Sequence, residues 1–342
     1  MLLALLLAAQ LHHPVQLASQ AVQRWLSGGM TPHLHQILQA QTPQEALREL
    51  KDYLAFSPPP PGLKVNFGAP QVTSTTTGTI VSFPAVSQGQ GGFVTVSLQG
   101  NQITGIAWSP QGGLFPSWLE GPWSWILFAA FSIAWIFSLL TPSGFRRLWK
   151  EGWAVVRRYW KLYVAVNIGL YGVYILGSAL AAANPYIARE VQQIAASAVD
   201  QIGLGGSNGL PQSVPSLALL IFYWNFSHGL VLTTAIPALF LGLPALLLNL
   251  LRYFVFGFAL SPAILPARAF LVHIPTLIIE LQAYILGTFG GMVLFLQVIR
   301  GQGYRRGLWA LSLSVYLGIT FLLLGAWYES FELLKLLPFL RA

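Results

Sequence analysis

Cysteine is absent from this 342-residue chain, which excludes a disulfide framework, thiol chemistry and thiolate metal sites. Charge is scarce too: 8% of the residues are Asp, Glu, Lys or Arg, against about 25% in an average soluble domain. Asp is missing from every long apolar run, which excludes an aspartyl intramembrane protease. No phosphate loop, dinucleotide fingerprint, nucleophile elbow, H-E-x-x-H motif or paired acidic set occurs. Ser227 and His228 are adjacent and, at helical spacing, do not face each other as nucleophile and base. His12, His13, His33 and His35 have no thiol or acidic neighbour and read as solvated side chains rather than metal ligands. The chain therefore reads as a non-enzyme with no cofactor and no metal site.

What the chain has in abundance is apolar: 55% of its residues are hydrophobic, and the mean hydropathy is +0.61. The fold class that follows is an α-helical polytopic membrane protein. The formal net charge of +8 reads as topology before partners. Arg146, Arg147, Lys150, Arg157, Arg158 and Lys161 occupy one short loop, and Arg300, Arg305 and Arg306 another. Short loops rich in Lys and Arg face the cytoplasm. Because these charges flank spans, nucleic acid is not the implied partner.

Residues 1–9 form an apolar run about half a bilayer core in length. The run resembles the core of a secretory signal, with a short helix docked on a neighbour as the alternative. Residues 10–116 read as an extracytoplasmic α+β domain. Its first part is helical to about residue 57, interrupted at His13-Pro14, with cap-plus-proline starts at Thr31-Pro32 and Thr42-Pro43. After a stiff Pro58–Pro61 break, the runs VNF, QVTSTTTGTIVSF, GGFVTVSLQ and QITGIAWS predict strands, with a hairpin turn at Gln99-Gly100-Asn101.

Residues 117–342 form the transmembrane helical part, with about six spans expected at 123–140, 162–183, 216–236, 245–261, 271–298 and 308–328. Two further stretches, 144–161 and 184–202, are amphipathic. In the first, Trp149, Trp153, Val156, Trp160 and Tyr163 share a face. Arg146, Arg147, Lys150, Arg157, Arg158 and Lys161 lie on the others, as expected of a helix against an anionic inner leaflet or of an extension of the next span. Six crossings place both basic loops inside, and the N-terminal domain and C-terminus outside. That is a multi-pass topology with both ends on the outer side. The tail after Tyr328 reads as another amphipathic piece at the outer surface.

Within these spans Glu280 is the one acidic residue. A carboxylate at bilayer depth costs several kcal/mol unless it is protonated or partnered. His273, Thr276, Glu280, Ala283, Gly287 and Gly291 recur every three or four residues and line one helix face, polar in its first half and small in its second. Asn225 and His228 sit one turn apart in the third span, and Asn249 and Arg252 one turn apart in the fourth. Counted from the outer ends, Asn225, Arg252 and Glu280 all lie ~14 Å deep at ~1.5 Å per residue. The expectation is a polar centre in which Arg252 pairs with Glu280, while Asn225, His228, Asn249, His273 and Thr276 satisfy the remaining groups. Such a centre is either structural, fixing helix packing, or part of a transport path. The Ala283-Gly287-Gly291 ridge seats either a neighbouring span or a second subunit in a homodimer.

The runs FYWNFSHGLVLTTAIPALFLGLPALLLNLLRYFVFGFAL and HIPTLIIELQAYILGTFGG resemble the membrane domain of the stage II sporulation protein M family over roughly residues 160–330. Asn225 matches an Asn early in one of that family's spans. Pro275 and Glu280-Leu281-Gln282-Ala283, with Gly287 and Gly290, match its Pro-His-Gly-x-x-Glu-Leu-x-Ala element and the small residues after it. Thr276 stands where the family has His and Leu277 where it has Gly; His273 lies one turn earlier on the same face. The resemblance implies a non-enzymatic membrane scaffold of the cell envelope that recruits envelope or membrane protein partners. A transporter or channel subunit built on Glu280 and Arg252 is the alternative.

Overall fold

The computed structural model describes residues 2–29, 58–74, 79–110, 117–119, 121–185 and 213–337, with positions 42, 45, 49, 55, 56, 187, 188, 191 and 192 between them. The described residues fall into two compact units, one ending at 110 and one starting at 117.

The first unit is a helix on an antiparallel sheet. Helix α1 (Leu2–Leu26) is continuous, with Pro14 inside it. The interruption expected at His13-Pro14 is therefore absent, and residues 2–9 begin the same helix. An internal proline costs a helix ~3 kcal/mol. Packing offsets this, because Ala18, Ala21, Val22 and Trp25 recur at helical spacing and bury themselves against the sheet. The Thr31-Pro32 start and most of 43–57 lie outside the described residues. At Thr42-Pro43 the expected cap is present, with the Glu45 amide donating to Thr42 Oγ1 at 3.2 Å.

Strands β1 (Lys64–Val65), β2 (Gln71–Ser74), β3 (Thr79–Ser87), β4 (Gln90–Gln99) and β5 (Gln102–Pro110) make one sheet in the order β1-β3-β4-β5, with β2 also on β3. The run QVTSTTTGTIVSF, expected as one strand, instead folds back on itself, with Ser74 opposite Thr79. At the β3–β4 turn Gln88 and Gly89 both have positive φ, the backbone of a two-residue hairpin. Gly100 takes φ +58 at the expected β4–β5 turn. Alternation sends Val81, Phe83, Ala85, Val94, Val96, Leu98 and Ile106 to the face that α1 covers.

The second unit is helical: α2 (Pro122–Leu140), α3 (Gly144–Arg158), α4 (Trp160–Ala183), α5 (Val214–Ala238), α6 (Leu243–Ala259), α7 (Ala267–Ile299) and α8 (Tyr304–Leu336). Among them α2, α4, α5, α7 and α8 are long and apolar enough to cross a membrane, while α6 has 17 residues and is shorter. The chain is thus a multi-pass membrane protein with a small N-terminal antiparallel sheet. Of the amphipathic stretch expected at 184–202, the part from 193 on lies outside the described residues.

Helices α7 and α8 form the centre, and α7 is buried without a break from Leu286 to Gly291. Small residues let the helices approach. A Cβ on Gly257 of α6 would lie 2.0 Å from the Tyr174 carbonyl oxygen of α4, so only glycine fits there. Ser178 Oγ donates to the Gly257 carbonyl at 2.8 Å beside that crossing. The ridge on α7 is filled within the chain: Gly287 faces Thr234 of α5, Gly291 faces Ala238 and Gly242, and Ala283 faces Gly318 of α8. Those three residues therefore seat α5 and α8 and leave no open seam for a second copy.

Candidate functional site

The middle of α5 departs from the α-helix. Residues Asn225–Ala235 form a π-helix of 11 residues, in which backbone bonds skip five residues instead of four and the turns widen. The Gly229 carbonyl and the Thr233 and Thr234 hydroxyls of this segment lie toward α6. Thr233 Oγ1 also donates to the Gly229 carbonyl at 2.9 Å.

Arg252 of α6 meets this surface. Its Nη1 donates to Asn249 Oδ1 at 2.8 Å, to Thr234 Oγ1 at 3.3 Å and to the Gly229 carbonyl at 3.4 Å. Its Nη2 donates to Thr233 Oγ1. The guanidinium carbon lies 4.4 Å from the ring centroid of Tyr284 on α7, a cation–π contact. Asn249 is fully buried and joins three helices, donating to the Ala245 carbonyl at 2.9 Å, to Thr288 Oγ1 of α7 at 3.0 Å and to Thr234 Oγ1 of α5 at 3.2 Å. The pairing of Asn249 with Arg252 one turn on is as the spacing implies.

Glu280 is held elsewhere. Asn225 Nδ2 donates to Glu280 Oε1 at 3.0 Å, so two of the three residues expected at equal depth do meet. Helix α8, which carries Glu329, also packs against it. Gly325, one turn before Glu329, makes room: a Cβ there would lie 2.6 Å from Glu280 Cγ.

The expected Arg252–Glu280 ion pair is not formed. Among the described residues Arg147 pairs with Glu151 at 3.1 Å, and His273 Nδ1 lies 2.9 Å from Glu332 Oε1. The reason is local. The π-helix offers Arg252 acceptors on its own side, and the Tyr284 ring covers the guanidinium.

A third carboxyl lies at the end of α7 and α8 away from the turn that joins them. Glu332 is 1% exposed and accepts from His273 Nδ1 at 2.9 Å and from Thr276 Oγ1 at 2.6 Å. His273 and Thr276 thus serve Glu332 rather than Glu280. As far as Leu337, the segment expected as a surface tail after Tyr328 instead continues α8, with a π-helical turn over Glu332–Leu336. Its legible signal was spacing: Gly318, Leu322, Gly325, Glu329 and Glu332 recur at four, three, four and three residues, prolonging one helix face past Tyr328.

His228 joins neither cluster. It stacks on Trp224 at 3.9 Å between ring centroids and takes a 2.9 Å hydrogen bond between its Nδ1 and Ser227 Oγ. Adjacent side chains thus do meet, because the π-helix rotates less per residue and Nδ1 is the ring nitrogen nearer the backbone. Ser227 Oγ also donates to the Tyr223 carbonyl at 2.6 Å, so the hydroxyl is occupied by the backbone of its own helix.

On α3, Arg147, Lys150, Arg157 and Arg158 are exposed and Arg146 is partly buried, and Lys161 is exposed in the first turn of α4. The apolar stripe of this helix, Trp149, Trp153 and Val156, is turned toward α7 and α8. It packs on Leu286, Phe289, Val293, Ala310 and Leu317 of α7 and α8. Gln297 donates to Tyr159 at 3.4 Å, and Tyr316 to the Phe145 carbonyl at 3.0 Å, so α3 and the α7–α8 turn share one end of the helical unit.

No family model, curated protein or solved structure matches the chain.

Proposed function

We propose that the protein is an integral membrane scaffold of the bacterial inner membrane, with six crossings, α6 among them, and an exported N-terminal unit that recruits envelope partners. One observation carries this reading. The polar side chains of the centre are spent on neighbouring helices, Arg252 on four acceptors and a ring, Asn249 on three acceptors and Glu332 on two donors. Polar groups used this way fix helix packing, at about 0.6–2 kcal/mol each. Recognition then falls to the outer unit, which has a hydrophobic core of its own. The resemblance of Asn225 and of Glu280-Leu281-Gln282-Ala283 to stage II sporulation protein M supports the same role, as does the placing of the basic loops inside.

A specific observation favours a second reading. Glu280 and His273 of α7 and Glu329 and Glu332 of α8 are titratable side chains on two packed helices, with His273 Nδ1 2.9 Å from Glu332 Oε1, the kind of residues found in proton relays of transporters. Cross-linking of the full-length protein in its own membrane, followed by capture, separates the two. Co-purifying cell-wall enzymes support the scaffold. Capture of nothing, together with proton or solute flux in protein-loaded liposomes that Glu280→Gln abolishes, refutes it.

A further inference from the structure

The turn between α7 and α8 carries a feature that neither polar cluster uses. A groove of about 650 Å³ is lined by Gln302, Arg305, Arg306, Trp309 and Ser312, with Gly303 and Leu308 completing it. Arg305 and Arg306 are exposed, and among the described residues neither makes an ion pair. Arg300, at the end of α7, is a third exposed arginine in the same turn. Trp309 is 54% exposed one turn further along α8, with Ser312 exposed beyond it. Apolar surface follows at once: Ile299, just before the turn, is 64% exposed.

This order of groups, cationic at the turn, then an indole, then aliphatic surface, is the order of chemistry in a phospholipid read from phosphate to acyl chain. Arginine matches a phosphate with two parallel N–H bonds, and tryptophan prefers the headgroup level of a bilayer. The basic residues of α3 differ. Their helix has Trp149, Trp153 and Val156 turned onto α7 and α8, whereas Trp309 is exposed beside Arg305 and Arg306 and lines one groove with them.

We propose that the α7–α8 turn is a binding site for the phosphate headgroup of an anionic phospholipid, held by Arg305 and Arg306 with Trp309 against the glycerol and upper acyl region. The site is independent of the scaffold reading and of the carboxyl cluster. It gives the protein a resident lipid at the end of the unit where α3 and the basic turn meet.

The test is full-length protein in a neutral detergent, titrated with phosphatidylglycerol or phosphatidylcholine and read by retained lipid in native mass spectrometry. Two double variants are compared, Arg305→Gln with Arg306→Gln and, on α3, Arg157→Gln with Arg158→Gln. The wild type and the α3 variant should retain phosphatidylglycerol over phosphatidylcholine. The Arg305/Arg306 variant should lose roughly 30-fold in that preference, from about 1 kcal/mol per basic residue at the surface. Trp309→Ala should weaken retention of both lipids while leaving their ratio. All four proteins should give the same circular dichroism spectrum, because these side chains are exposed. An unchanged preference in the Arg305/Arg306 variant would overturn the proposal, as would its loss in the α3 variant alone. Inorganic phosphate that stabilised the protein to heat as much as phosphatidylglycerol does would also overturn it, since the occupant would then be a soluble anion.

Discussion

Removing Arg252 and Glu280 separately and together decides whether the two charges speak to each other. An ion pair at 4 Å is worth about 4 kcal/mol at an effective dielectric of 20. Breaking it from either side would leave a stranded charge, and the double variant would recover much of the loss. The structure leads to a different result. Arg252 spends its N–H groups on Thr233, Thr234, Asn249 and the Gly229 carbonyl and lays its face on Tyr284, while Glu280 accepts from Asn225. Arg252→Gln should therefore cost about 3 kcal/mol through lost charge-assisted bonds and the ring contact. Glu280→Ala should cost a further amount that simply adds, with a coupling below about 0.5 kcal/mol. The cycle between Asn225→Ala and Glu280→Ala, by contrast, should show a coupling of about 1–2 kcal/mol, near the upper end for a hydrogen bond between membrane helices. Unfolding in mixed micelles of increasing SDS fraction, followed by tryptophan fluorescence, measures all five variants. Recovery of 2 kcal/mol or more in the Arg252/Glu280 double variant, with none in the Asn225/Glu280 cycle, would show that the two charges do pair and that the reasoning is wrong.

Other consequences follow from the same coordinates. Gly257→Ala puts a methyl 2.0 Å from the Tyr174 carbonyl, where backbone must move, so thermal stability in detergent should fall by the equivalent of about 2–3 kcal/mol. Gly325→Ala meets only the flexible Glu280 side chain and should cost about 1 kcal/mol, most of it removed in the Glu280→Ala background. Trp25→Ala empties the centre of the N-terminal unit, where the indole is fully buried, and should cost about 3–5 kcal/mol. Limited proteolysis would report that loss as new cleavage between residues 58 and 110, with the helical unit intact. Thr276→Val should leave buried Glu332 with His273 as its donor and destabilise by about 1–2 kcal/mol, whereas Thr276→Ser should be nearly neutral.

Much of the architecture could be read from residue order. Apolar runs bounded by Trp, Pro and basic loops locate the helices to within a few residues, because backbone in lipid must satisfy its own hydrogen bonds and does so as a helix. Period-two alternation locates β3, β4 and β5 for an equally local reason, since successive side chains point to opposite faces. Depth counting put Asn225, Arg252 and Glu280 at one level, because rise per residue is nearly constant along a helix, and of these Asn225 and Glu280 meet while the expected Arg252–Glu280 pair does not form. What a linear count does not contain is rotation about each helix axis and the choice among neighbours. The π-helix of α5 turns Gly229, Thr233 and Thr234 toward Arg252, and α8 runs straight on past Tyr328 to bring Glu329 and Glu332 to α7. Pro14 likewise sits inside an unbroken α1 because the sheet it packs on outweighs its local cost. Which polar groups exist, and how deep they lie, belongs to the sequence. Which of them touch was decided only when the helices packed, since a hydrogen bond needs an approach within about 3 Å from one particular direction.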